Sequence, residues 1–194
     1  MVKNKNLLIY IVLALVFSLL LTACGSSDDK DGKDAAKSGG ELRELEEAFA
    51  EQPVMLTSIG QSADVEMIKA LLDNAGIEYK MEKLLKANEL GEEKTLILAV
   101  GGSSKGLGAA GIDAGEELSR TEDLIDGAKD KEMKIITMHI GGEARRGELS
   151  DRFIGPASSA ADYIIIVDEG NKDDMFTNIA IEEDIPMEIV GSIA

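Results

Sequence analysis

A chain of 194 residues with 37 acidic against 20 basic side chains carries a formal charge of −17, and so acidic a surface repels nucleic acid and anionic lipid headgroups. A single cysteine and a single histidine exclude an intramolecular disulfide framework and a His-rich zinc site. Stability has to come from an ordinary apolar core.

The N-terminus has two cations, Lys3 and Lys5, then an uncharged apolar run from Leu7 to Leu21, then Leu21-Thr22-Ala23-Cys24. The run is shorter than the roughly 20 residues a bilayer-spanning helix needs. It reads as an export signal over residues 1–23, closed by a lipobox at Cys24. Small residues before the cysteine suit a signal peptidase, and the thiol is the local nucleophile for a diacylglyceryl group. Acyl chains such as palmitate would then hold Cys24 on the extracytoplasmic face of the cell membrane, at about 0.8 kcal/mol per buried CH2. Removing the signal takes Lys3 and Lys5 and no acid, so the charge falls from −17 to −19.

Residues 24–40 comprise the lipidated cysteine and GSSDDKDGKDAAKSGG, which has no aromatic or β-branched residue with which to build a core. A disordered tether is expected there. Residues 41–52 place Leu42, Leu45, Ala48 and Phe49 at helical spacing before Pro53, predicting a short lead-in helix. Residues 53–194 then read as one α/β domain.

Within it, apolar runs predict strands at Val54–Ile59, Ile77–Met81, Thr95–Val100, Lys134–Ile140, Tyr163–Asp168 and, weakly patterned, Met187–Val190. Helical patterns fall at Asp64–Asn74, Asp113–Lys131, Arg146–Ala161 and Asp173–Glu183, with Lys83–Glu89 open to a short helix. Continuous apolar strands such as Thr95–Val100 are those covered on both faces. The alternation predicts a three-layer α/β sandwich with a mostly parallel five- or six-stranded sheet, Rossmann- or flavodoxin-like. Strand order is not readable.

Ligands of such sheets bind beyond the carboxyl ends of the strands, so the loops there are the candidate site. After the first strand, Ser58, Gln61 and Ser62 lead into a helix start suited to a carboxylate or phosphate, or simply to N-capping. After the third strand comes Gly101-Gly102-Ser103-Ser104-Lys105, within a stretch that has five glycines between Gly101 and Gly111. The formal G-x-G-x-x-G from Gly106 starts too far past the strand for a dinucleotide turn, and no Gly-Lys-Ser/Thr occurs, so no cofactor is implied. After the fourth strand, His139, Gly141, Gly142, Arg145 and Arg146 add an imidazole and two cations, and arginine grips carboxylates bidentately.

The motifs T-S-I-G-Q-S-A-D-V, G-G-S-S-K-G-L-G-A-A-G-I-D and H-I-G-G-E-A-R-R-G resemble an uncharacterised family of bacterial lipoproteins with a single α/β domain, over about Val54 to Val190. The resemblance implies an exported α/β domain and carries no established activity. Its association with membrane transport is one of analogy.

Three functions follow as expectations. The first is a non-catalytic lipoprotein binding a small anionic, carboxylate-type solute between Ser58, Ser62, Lys105, Arg145 and Arg146, with a permease as a partner. The second is an envelope hydrolase pairing His139 with a serine such as Ser58, Ser103 or Ser104. No G-x-S-x-G elbow occurs, so an α/β-hydrolase of that type is unsupported. The third is a protein–protein interaction module.

Overall fold

The computed structural model describes residues 41–192. The expected export signal, Cys24 and the whole of the expected tether lie outside them.

Six strands form one sheet: β1 Val54–Ile59, β2 Tyr79–Met81, β3 Thr95–Val100, β4 Lys134–His139, β5 Tyr163–Val167 and β6 Met187–Val190. Every neighbouring pair is parallel, in the order β2-β1-β3-β4-β5-β6. β1 and β3 are buried along their whole length, as the unbroken apolar runs require of strands covered on both faces.

Five helices connect the strands: α1 Asp64–Ala75, α2 Ser104–Ala110, α3 Ala114–Asp130, α4 Glu148–Ser159 and α5 Met175–Glu182. α1 sends Val65, Ile68 and Leu72 onto one sheet face, against Val54, Leu56, Ile97 and Ala99. The other face is covered by α2 to α5, through Leu107, Leu124, Phe153, Ile154 and Phe176 against Leu96, Leu98, Val100 and Ile164. The result is a three-layer α/β sandwich with a flavodoxin-type strand order, whose chain path reverses between β1 and β3. That reversal leaves a crevice at the strand ends.

Two local expectations are corrected. Residues 41–52 form no helix: they run as a strap along the starting ends of the strands. Met187 N–H donates to the Arg43 carbonyl at 2.9 Å, and the Glu51 backbone exchanges two hydrogen bonds with the Thr95 hydroxyl. Phe49 meets Tyr163 edge to face at 5.9 Å. Leu42 and Leu45 stay exposed, so the apolar stripe that suggested a helix has nothing to pack on, and the sheet supplies backbone partners instead.

The glycine-rich stretch, read as a loop, contains α2. Ser103 caps it by accepting from the Gly106 N–H at 3.0 Å, and Gly111 closes it in the left-handed conformation. Its glycines are needed for approach: a side chain at Gly106 would run into the carbonyl of Gln61. Tertiary packing, with Leu107 buried, outweighs the poor helix propensity of glycine.

Candidate functional site

The strand-end crevice is built from three turns. After β1 the chain passes through Gly60 at φ +83 and Gln61 at φ +57, and Ser62 follows at the entrance to α1. A bridge between Gln61 and Gly102 joins this turn to the one after β3. Gly102 N–H donates to the Ser150 hydroxyl at 2.9 Å, tying the same turn to α4. The third turn, after β4, holds His139, Gly141 and Gly142.

A cleft of about 530 Å³ opens at the β1/β3 switch point, and Gln61, Ser62, Lys83, Ser103 and Lys105 line it. The structure therefore brings four of the expected residues together: Gln61, Ser62, Ser103 and Lys105. Lys83 is paired with Glu66 at 2.7 Å. Ser104 is exposed at the start of α2, and Ser58 is buried beneath the turn with its hydroxyl on the Ser62 carbonyl.

Behind the cleft lies a buried carboxylate without a hydrogen bond among the described residues. Asp64 is 1% exposed, and neither of its oxygens has a hydrogen-bond partner among the described residues. Its ion-pair partner among the described residues is Arg145, whose Nε stands 3.8 Å away on a half-exposed side chain. Gly101 and Gly141 flank it: a Cβ at 101 would meet Asp64 Oδ2 at 3.3 Å and the Ser62 hydroxyl at 3.2 Å, and one at 141 would collide with Asp64 and Arg145. Asp64 N–H also donates to Ser62 Oγ at 3.2 Å. Ser62 and Asp64 thus crowd the same point at the carboxyl end of β3. Burying a carboxylate without partners is costly, so such a group needs a reason to be there.

His139 is fully buried, stacked on Phe176 at 5.3 Å. Its Nδ1 lies 3.0 Å from the Val100 carbonyl, which can only accept, so Nδ1 carries the proton. Nε2 lies under Gly170 without a hydrogen-bond partner among the described residues. Burial pushes its pKa below the ordinary 6.5, against the opposing pull of the Val100 carbonyl and the Asp64 charge, so the ring is neutral at pH 7. None of its hydrogen bonds goes to a serine. The expected pairing of His139 with Ser58, Ser103 or Ser104 is not formed among the described residues: Ser103 caps α2 and the Ser58 hydroxyl bonds to the Ser62 carbonyl.

Arg146 is corrected as well. Its side chain is 9% exposed and donates to Asp151 at 2.8 Å, to both oxygens of Asp173 at 2.8 and 2.9 Å, and to the Gly170 carbonyl, while it lies over the Phe176 ring. Desolvation works against its charge, but the bonds to Asp173 and Asp151 outweigh it and hold the pKa above its usual value. It is a fully used structural cation. The paired arginines do not join Lys105 around one pocket.

A larger groove, about 710 Å³, runs along the outer side of α3 past Lys86, Asp123, Asp126 and Asp130, and touches none of the three turns.

The fold and the crevice define a single-domain α/β protein of flavodoxin-type strand order, with its polar site at the β1/β3 switch point. Within that class the chain belongs to the family described as a domain of unknown function, DUF6305, whose model matches residues 51–194. No curated protein sequence matches it. Among solved structures it is similar to a psychrotrophic esterase, EstA, from a Pseudoalteromonas species, at 9% identity and a TM-score of 0.30, covering 71% of this chain and 76% of that one. It is likewise similar to a GDSL-like lipase from Bacteroides thetaiotaomicron, at 10% identity and a TM-score of 0.33, covering 70% and 66%.

The expected solute-binding function is overturned. The rim lacks the positive pocket on which the expectation stood. Arg146 is consumed internally, Arg145 leans on Asp64, and the centre of the rim is a buried carboxylate that repels anions.

Proposed function

We propose that the domain is a hydrolase acting on a small ester in the β1/β3 cleft, with Ser62 as nucleophile and Asp64 as its proton acceptor. The observation that carries this reading is Ser62, a buried residue at the wall of the cleft, close to a buried carboxylate that lacks any hydrogen-bond partner among the described residues. The two side chains border one point, since a Cβ at Gly101 would meet Ser62 Oγ at 3.2 Å and Asp64 Oδ2 at 3.3 Å, and the hydrogen bond between hydroxyl and carboxylate would form on substrate binding, as catalytic hydrogen bonds often do.

In the reaction Ser62 Oγ attacks the ester carbonyl carbon as its proton passes to Asp64. The carbon–oxygen bond to the alcohol then breaks, and the proton leaves with that alcohol. Water next attacks the acyl-serine, giving its proton to Asp64, and the acid departs as Ser62 regains its proton. Asp64 N–H, donating to Ser62 Oγ, fixes where that oxygen sits. His139 stays neutral behind the pair and packs the β4 turn in place.

The test is turnover of p-nitrophenyl acetate by the purified protein. Ser62→Ala and Asp64→Asn should each remove it while leaving the circular dichroism spectrum unchanged. Full turnover by Ser62→Ala would refute the assignment.

We also propose that the chain works as a lipid-anchored protein on the extracytoplasmic face of the membrane, supported by Lys3, Lys5, the apolar run and Leu21-Thr22-Ala23-Cys24. Metabolic labelling with palmitate should mark the wild-type chain and fail on Cys24→Ser. Equal labelling of the two would contradict it.

A further inference from the structure

We propose that Glu117 and Arg120, both on α3, are positioning residues that hold the Gly60–Gln61 turn in the shape that presents Ser62 to the cleft. The functional half rests on the hydrolase reading, while the structural half stands without it.

Glu117 is fully buried, and both of its oxygens are in use. Oε1 accepts from the Gly60 N–H at 2.7 Å, from Gln61 Nε2 at 3.1 Å and from Arg120 at 2.7 Å, and Oε2 accepts from Arg120 Nε at 2.8 Å. Arg120 then donates to the Ser58 carbonyl at 2.6 Å and to the Leu85 carbonyl at 2.7 Å. Ser58, Gly60 and Gln61, all within four residues of Ser62, are thus gripped by one ion pair on one helix.

Stability is a weak reason for such a pair, because apolar residues of similar volume commonly replace a buried ion pair without loss. A stronger reason is the turn itself. Gln61 sits at φ +57, a left-handed conformation that side chains other than glycine rarely adopt and that persists only where the surroundings over-determine it. Gln61 is over-determined here: besides Glu117, its side-chain amide donates to the Lys83 carbonyl at 3.1 Å. The platform is rigid, since α3 is 17 residues long and starts in a capping box between Asp113 and Glu116. A site whose supporting shell is fixed keeps its nucleophile in register with the substrate.

The experiment compares the full chain with Glu117→Ala, Glu117→Gln and Arg120→Lys by two readouts, backbone amide exchange over residues 57–63 and kcat against KM for p-nitrophenyl acetate. Expected are about tenfold faster exchange at the Gly60 amide in Glu117→Ala with β4 and β5 still protected, and kcat lower by about tenfold or more with KM within about twofold. Glu117→Gln, which keeps an acceptor for Gly60, should recover most of both. Unchanged exchange at Gly60 in Glu117→Ala would overturn the proposal, as would a loss confined to KM. If Glu117→Ala does not fold, Arg120→Lys, which keeps the charge and loses the fork, is read by the same criteria. Absence of turnover in the wild type would sink the hydrolase reading alone, and the exchange comparison would still decide whether the pair holds the turn.

Discussion

Gly101 stands directly against Ser62: a Cβ built on Gly101 would lie 3.1 Å from the Ser62 Cβ and 3.2 Å from its hydroxyl. The turn after β3 has therefore to be bare for the serine to sit where it does. Gly101→Ala should push Ser62 and Asp64 by a few tenths of an ångström. The expected result is a stability loss of about 1–3 kcal/mol by urea unfolding, typical of overpacking, with esterase turnover down by about tenfold or more. Turnover at the wild-type rate would show that Ser62 is not the reacting group.

Acidification should weaken the fold through His139. Its pKa is depressed by burial, so between that value and 6.5 the unfolded chain binds a proton that the folded chain refuses. Stability then rises with pH in this window and is lost as the pH falls below about 6.5. Urea midpoints measured from pH 7.5 down to pH 5 should fall in the wild type. The slope should flatten in His139→Phe, which keeps a ring on Phe176 and removes the proton site. An equal slope in both would place the acid sensitivity elsewhere.

Arg146 and Lys105 should separate cleanly. Arg146→Ala leaves Asp151 and Asp173 without their shared cation and removes the cation from over the Phe176 ring. A loss of about 2–3 kcal/mol in thermal or urea unfolding is expected. Lys105 is exposed and forms no ion pair among the described residues, so Lys105→Ala should stay within about 0.5 kcal/mol of wild type. Similar losses for the two would mean that Arg146 is not the structural cation described here.

The strap before β1 should contribute through its aromatic contact. Phe49→Ala removes the edge-to-face pair with Tyr163 and should cost about 1–2 kcal/mol. It should also raise amide exchange at Met187, whose N–H is held by the Arg43 carbonyl. No change at Met187 would show that the strap and β6 are independent.

The strands were the most legible part of the sequence. Val54–Ile59 and Thr95–Val100 are unbroken apolar runs, and a run of that kind has few other places to go than the centre of a parallel sheet. The lead-in segment misled because Leu42, Leu45 and Phe49 keep helical spacing, while the backbone partners that won, at Thr95 and Met187, are far away in sequence. The glycine stretch misled in the opposite direction, since glycine disfavours helix locally and only contact with Gln61 and the burial of Leu107 make α2 worthwhile. In the site, Ser62 was visible as a small polar residue after a strand. Asp64 looked like an ordinary acid at a helix start, because burial and the lack of a partner are properties of the fold. Glu117 and Arg120 look like solvated charges on a helix, and nothing local to them reveals that they grip the turn after β1. Arg145 and Arg146 drew attention as adjacent cations, yet the acids that engage Arg146 most fully include Asp173, which lies beyond the next strand.

The central claim, that Ser62 is an activated nucleophile in the β1/β3 cleft, is tested most directly by incubating the full chain with a fluorophosphonate ester and locating the adduct by peptide mass spectrometry. The account predicts a single adduct on the peptide carrying Ser62, absent in Ser62→Ala and strongly slowed in Asp64→Asn. An unmodified Ser62 after prolonged exposure, or an adduct on Ser103 or Ser104 instead, would contradict it.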